Sequence, residues 1–321
     1  MPDPVRARLR GWTAAVKIVV TVTVLVVLFS RVNPRAVVRA WAGVHPGWAL
    51  AALVLVMPNL ACQYGRVRVG LMRAHPGAGA IVTLRALLVG LAMGAVTPGR
   101  VGELGSAMFL PRGGRRRALG VLAVMRIYGF STTVALGSVM WALEPGLIGL
   151  SLPTTRTLAS LALAIVALIV AAGELVFRPS RQPWAERLSR RLRGGEDVFL
   201  GMKALHASDR AWFGVWSVGL SVIYLSQLVL LVRAFGGEVM WAEGIAAGAV
   251  TTGIVALLPI AVGNIGVRES AAILVWQHLG VPAPVAFNAA FALFLTNAVL
   301  PGVAGLAWNA LAERSTGAGR P

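Results

Sequence analysis

GLAMGAVTPGRVGE, residues 90–103, decides how this chain is read, because the second half repeats its logic: GIAAGAVT at 244–251 leads on to PIAVGNIGVRE at 259–269. Each is an apolar helical stretch interrupted by Pro and Gly, with Arg and Glu close behind and no obvious route to water. Proline removes a helical hydrogen bond and glycine admits backbone that other residues avoid. Pro98, Gly99 and Gly102 in one stretch, and Pro259, Gly263 and Gly266 in the other, therefore mark helix breaks. Discontinuous helices at matching places in two halves point to the binding site of a membrane transporter.

Composition around these breaks sets the class. The chain has 321 residues, 57% of them hydrophobic and 13% charged, with mean hydropathy +0.75. That is more apolar surface than one soluble core can bury, so an all-α polytopic membrane protein is expected. A formal charge of +18 and a pI near 11.8 would suit nucleic acid. The arginines, however, cluster at the ends of apolar runs, which is the positive-inside pattern, so anionic lipid is the expected partner and nucleic acid is not. Cys62 is the single cysteine, which excludes an intramolecular disulfide. His45, His75, His206 and His278 are scattered without ligand spacing, so neither a metal nor another cofactor is expected. The Arg-over-Lys, Ala- and Gly-rich usage resembles that of a GC-rich bacterial genome.

The apolar runs and basic loops together predict a topology. Arg6, Arg8 and Arg10 precede the run Thr13–Ser30, which no small-x-small cleavage site follows, so an uncleaved first span with a cytoplasmic N-terminus is expected. Pro34–Ala42 reads as a surface helix with Val37, Val38 and Trp41 on one face. A second span over Gly47–Gln63 leads to an inner loop carrying Arg66, Arg68 and Arg73. Residues 81–97 then break at Pro98-Gly99 and soon reach Arg112, Arg115, Arg116 and Arg117. Two basic loops flanking one broken segment belong on the same side, so this segment is expected to enter and turn back as a re-entrant hairpin.

Spans over Ala118–Leu143 and Thr157–Phe177 follow, joined by an outer loop, Glu144–Thr155, that lacks Lys and Arg. The cytoplasmic stretch 178–210 is the most basic loop; Trp184, Leu188 and Leu192 recur within it at helical spacing, which fits either an interfacial helix on an anionic leaflet or a solvated linker. The second half replays the first upside down. A span at Ala211–Ala234 goes out, the broken segment Ala242–Gln277 enters from outside and returns, and Val285–Leu311 spans back to a cytoplasmic C-terminus. The expectation is one integral membrane domain of about six spans and two re-entrant hairpins, in two inverted repeats at 13–143 and 157–311.

Charges at bilayer depth cost about 2.5–3.5 kcal/mol each on insertion scales, so they need partners or water. Glu103 and Glu269 lie beside the breaks, Arg100 and Arg268 close to them, Arg126 about eight residues into a span and Arg85 in the first hairpin. The pairs Arg100–Glu103 and Arg268–Glu269 can simply neutralise one another and pin the hairpins, or they can line a shared polar cavity. The four arginines exceed the two glutamates by two positive charges, which suits an anionic group such as phosphate, held by paired hydrogen bonds. Half-helix N-termini after the breaks would add positive dipole ends. Gly90 with Gly94 and Gly244 with Gly248 form small-xxx-small faces that favour close packing.

At these residues the chain resembles the lysylphosphatidylglycerol synthase transmembrane family, also called flippase-like membrane proteins. PGRVGE at 98–103, GNIGVRE at 263–269 and Arg126 carry the resemblance, which extends over about residues 13–311. It implies an integral membrane protein with re-entrant helices and a role in moving lipid between leaflets; the substrate-binding candidates, read from the polar residues at the breaks and in the spans, are Arg85, Arg100, Glu103, Arg126, Asn264, Arg268 and Glu269. Two positions depart from the family pattern. Met125-Arg126-Ile127-Tyr128-Gly129 keeps only the arginine where relatives often carry Glu-Arg followed by Asp, and Gly263-Asn264 replaces the usual Gly-Gly. The soluble aminoacyl-transferring domain of the synthase has no room here, so the chain is not expected to be the synthase.

The leading expectation is a lipid flippase or flippase-like transporter of the bacterial plasma membrane, with Arg100, Arg126 and Arg268 on an anionic phospho- or isoprenoid headgroup. The alternative is an intramembrane enzyme of polyprenyl-phosphate, glycolipid or hopanoid metabolism, or an accessory scaffold beside a lipid-synthesising enzyme. No Asp-x-Asp metal pair or His/Asp constellation supports an enzyme.

Overall fold

The computed structural model of the protein describes residues 34–97, 99–110, 112–177, 195–259 and 261–315. The expected first span Thr13–Ser30, the Trp184–Leu192 stretch and the break residue Pro98 lie outside them. Every regular element among the described residues is helical; the main ones are, in chain order, α1 (Pro34–Ala42), α2 (Pro46–Val54), α3 (Val56–Ala74), α4 (Ala80–Ala95), the 3-10 helix Val101–Phe109, α5 (Arg112–Leu143), α6 (Leu152–Phe177), α7 (Gly195–Lys203), α8 (Ala207–Ala234), α9 (Trp241–Leu257), α10 (Val267–Trp276), α11 (Ala283–Phe294) and α12 (Leu300–Ser315). Among the described residues, five stretches are long and apolar enough to cross a bilayer: Pro46–Ala74, Gly114–Leu143, Leu152–Ala171, Ala207–Ala234 and Ala283–Ala312. α4 and α9, at 16 and 17 residues, are shorter. At 1.5 Å per residue they reach only about 24–26 Å, less than the roughly 30 Å of a hydrocarbon core.

One element differs from the expected topology in a way that matters for function. The arginines after Gln63 do not sit in a loop: α2 runs through Leu55, itself right-handed, into α3, and the helix continues to Ala74. Arginine is a good helix former, and Val67, Leu71 and Ala74 place one buried face at i, i+4 and i+7 between the charges. The arginine heads find partners at the helix end. Arg68 Nη1 donates to the Ala78 carbonyl at 2.5 Å, and Arg73 pairs with Asp209 at 2.8 Å. The basic stretch 178–210 likewise holds α7, whose Gly201 packs on the Arg117 backbone of α5, and the first residues of α8. α1 matches its expected limits, but only Val37 is buried; Val38 is 70% exposed, a third of a turn away from the contact with α11.

Contacts at the two ends orient the hairpins without reference to a membrane. The Arg73–Asp209 pair joins the end of α3 to the start of α8, and His45 N–H donates to the Ala234 carbonyl at the opposite end (2.8 Å). α4 and the 3-10 helix leave from the Arg73 end and return to it, because Gly114 lies against His75. α9 and α10 leave from the Ala234 end and return to it, because Gly237 lies against Val285. Packing between the halves is reciprocal. α5, which follows the first hairpin, packs on α9 of the second through Gly137 and Gly253; α12, which follows the second, packs on α4 of the first through Gly302 and Gly305.

The two small-residue faces serve packing, as expected. Gly90 and Gly94 admit Ser106 and Glu103 of the 3-10 helix, while Gly244 and Gly248 admit Val229 and Leu225 of α8. Apolar burial divides into a cluster around α3, α4 and α5, with Leu71, Ala86 and Leu122, and another across α8 to α11, with Val229, Ala247 and Trp276.

Candidate functional site

The site begins where the two breaks touch. Gly99 and Arg100 have φ of +56° and 56°, and Gly263 and Asn264 have φ of +59° and 58°, so each break opens with two consecutive left-handed residues. This sets the register between the halves: Gly99-Arg100-Val101-Gly102 corresponds to Gly263-Asn264-Ile265-Gly266, with Asn264 in the place of Arg100. Left-handed backbone costs a non-glycine residue about 1–2 kcal/mol, and asparagine tolerates it better than most. The Gly263 amide donates to the Thr97 carbonyl at 3.0 Å, joining break to break. A side chain at 263 would strike the Ala95 carbonyl, and one at 99 would meet Pro259. Thr97 Oγ1 accepts the Gly102 amide at 2.7 Å, closing a donor that the broken helix leaves open.

The charges complete each break in parallel ways. Arg126, from α5, donates through Nη2 to the Gly99 carbonyl (2.8 Å) and through Nη1 to the Arg100 carbonyl (2.6 Å) and Glu103 Oε2 (2.9 Å). Arg100 Nε lies 2.7 Å from Glu103 Oε1, so both oxygens of that carboxylate are engaged. In the second break Arg268 Nη2 donates to the Gly263 carbonyl (2.9 Å), and the guanidinium lies over the Phe294 ring, 4.5 Å from its centroid. Glu269 Oε2 accepts the Gly266 amide (2.6 Å), capping α10, and its Oε1 lies 3.7 Å from Arg268 Nη1. Each break thus has an arginine on the carbonyl of its first glycine and a glutamate in the first turn of the helix that follows.

A cavity of about 570 Å³ opens from this junction. Its polar end carries Arg66, Arg100, Glu103, Arg126, Asn264 and Arg268. From Arg126 the lining continues along α5 through Phe130 and Thr133 to Leu136, roughly 15 Å at 1.5 Å per residue, facing Leu220 of α8 and Val255 of α9. The cavity is therefore amphipathic along its length, with cations at one end and aliphatic and aromatic surface at the other.

Of the residues the sequence singles out, Arg100, Glu103, Arg126, Asn264 and Arg268 come together here, with Gly99 and Pro259 on the rim. Glu269, only 1% exposed, sits behind Arg268 and does not line the cavity. Arg85 is elsewhere: it donates to Asn309 Oδ1 of α12 at 2.8 and 2.5 Å and lies beside Trp308, because its face of α4 points at the last helix. Arg66 takes the place expected for Arg85, so four arginines against Glu103 and Glu269 still leave two positive charges in excess. Asn59, Gln63 and Asn297 also line the wall. Asn59, Gln63 and Arg66 share one face of α3 at i, i+4 and i+7, a polar stripe visible in the sequence once the helix is extended past Gln63. Asn297 lies in the π-helical turn Leu295–Val299, four residues before Pro301, whose ring excludes a regular carbonyl there.

Comparison with known proteins is consistent with this architecture. The family described as lysylphosphatidylglycerol synthase TM region matches residues 14–305. No relative was found among curated proteins.

Proposed function

This chain belongs to the lysylphosphatidylglycerol synthase transmembrane family, a multi-pass membrane family with a lipid-related role, and from that premise we propose that it is a flippase-like transporter moving an anionic lipid between leaflets of the bacterial plasma membrane. The hairpins are re-entrant, entering from opposite faces, and the units 13–143 and 157–311 are inverted repeats. Both termini are cytoplasmic, on the side where Arg68, Arg73, Arg116 and Lys203 gather. The observation that carries this reading is the cavity at the meeting of the two breaks. Its cationic end suits a phosphate-bearing headgroup, and its apolar length suits the first part of an acyl or isoprenoid chain.

In alternating access the hairpins would rock about the Thr97–Gly263 contact, with Arg126 and Glu103 keeping one break intact while the cavity changes the side it faces. The test is translocation in reconstituted vesicles, with a fluorescent anionic phospholipid and a neutral analogue and chemical analysis of the recovered lipid. Faster movement of the anionic lipid, recovered unchanged, is expected. Chemically altered lipid would favour the intramembrane enzyme, and no movement above that of protein-free vesicles would favour the scaffold.

A further inference from the structure

We infer that Arg66 is the principal ligand for the anion, and that Gly129 is present to give its guanidinium room. This rests on the reading of the cavity as an anionic-lipid site and assigns the residues within it. The hydrogen-bonding partners separate the arginines into two kinds. Arg126 has both terminal nitrogens on the carbonyls of Gly99 and Arg100 and on Glu103, and Arg100 faces the other oxygen of that carboxylate. These two build the break.

Arg66 is placed differently. It enters the same cavity from α3 and, among the described residues, makes one hydrogen bond, from Nη2 to the Met125 carbonyl at 3.1 Å. Its Nε is buried without a hydrogen-bond partner, and among the described residues no carboxylate pairs with it, both oxygens of Glu103 being taken. A buried guanidinium whose nearby carboxylate, Glu103, is already shared by two other arginines is costly, and an oxyanion accepting from two of its nitrogens offsets that cost. Arg268, from the second break, has Nη2 on the Gly263 carbonyl and Nη1 3.7 Å from Glu269, so it adds positive charge to the polar end and is anchored by its own break.

Gly129 explains how Arg66 reaches this position. A methyl group at 129 would lie 2.5 Å from Arg66 Nη2 and 3.3 Å from its Cζ, so only glycine lets the guanidinium rest on α5 one turn beyond Arg126. Gly129→Ala therefore displaces the head of Arg66 without changing any charge.

The experiment is native mass spectrometry of the detergent-purified full chain, titrated with phosphatidic acid, with diacylglycerol of the same chains, and with inorganic phosphate. Wild type is expected to retain phosphatidic acid over diacylglycerol. Arg66→Gln should lower that retention about tenfold, the loss of one charged hydrogen-bonding pair, and Gly129→Ala should lower it in the same direction, both with an unchanged melting temperature. Arg66→Lys, which keeps charge and helix propensity, should fall between and still measures the site if the glutamine variant does not fold. Retention in Arg66→Gln and Gly129→Ala equal to wild type overturns the assignment. Uptake of inorganic phosphate without preference for phosphatidic acid, lost in Arg66→Gln, would keep Arg66 as the ligand and overturn the lipid as its source. Wild type that takes up neither anion overturns the proposed function itself.

Discussion

Arg126, the one residue of the 125–129 stretch that matches the family pattern, both lines the cavity and holds the first break together. Three acceptors from the first break converge on its guanidinium. A lysine keeps the charge but not the two-pronged geometry, so Arg126→Lys should leave the Gly99 or the Arg100 carbonyl without its donor. The expected cost is about 2 kcal/mol, from hydrogen bonds to a charged group worth roughly 1.5–3 kcal/mol each, reduced by partial exposure. Thermal unfolding should show a clear fall in Tm alongside the loss of transport, and full activity with unchanged Tm would remove Arg126 from the break. The glycines of the breaks give a second prediction. Gly263→Ala combines left-handed backbone at φ +59° with a clash on the Ala95 carbonyl, and should cost more than 1–2 kcal/mol. Gly146→Ala, where nothing lies within 4 Å, should be nearly neutral in the same unfolding measurement.

Among the elements, the hairpins carry the topology. Gly114 rests on His75, so the ends of the first hairpin sit at one end of the molecule, and Gly149 rests on His278, so the short turns at 145–148 and 277–279 meet at the other. Single cysteines at Ala74 and Gly114 in a Cys62-free background should both be labelled from the cytoplasmic side only, and cysteines at Gly146 and Val281 from the outside only. Labelling of positions 74 and 114 from opposite sides would make 80–110 a crossing segment and end the inverted-repeat account. The helix breaks were legible in the residues alone, because Pro and Gly inside an apolar run leave few conformations open. The position of Arg66 was not. Basic residues near a span end serve equally as topology markers in a loop and as members of a helix, and the choice depended on whether Val67, Leu71 and Ala74 find a partner to bury against. The exchange of Arg85 for Arg66 has the same origin, since the face of α4 that points to α12 is set by tertiary packing through Gly302 and Gly305. Glu269 was recognisable as important, but only the backbone at Gly266 distinguishes a cap from a cavity group.

For the whole molecule, the account joins the two halves through one chain of contacts. It runs from Glu103 through Arg126 to the Gly99 carbonyl, along the break to Thr97, across to Gly263, and on through Arg268 to Glu269. Glu103→Gln and Glu269→Gln should each slow translocation, and a double-mutant cycle should reveal a coupling of about 0.5–3 kcal/mol, as found for groups sharing a network. Strictly additive effects, with stability unchanged, would separate the breaks. The central claim, that the cavity between the two breaks holds an anionic lipid, is tested most directly by an experimental density map of the protein in nanodiscs of its native membrane lipids. The account predicts phosphate-sized density against Arg66 and Arg268, with chain density continuing along Phe130 and Leu136. A cavity holding only water, with lipid confined to the outer surface of the helices, would contradict it.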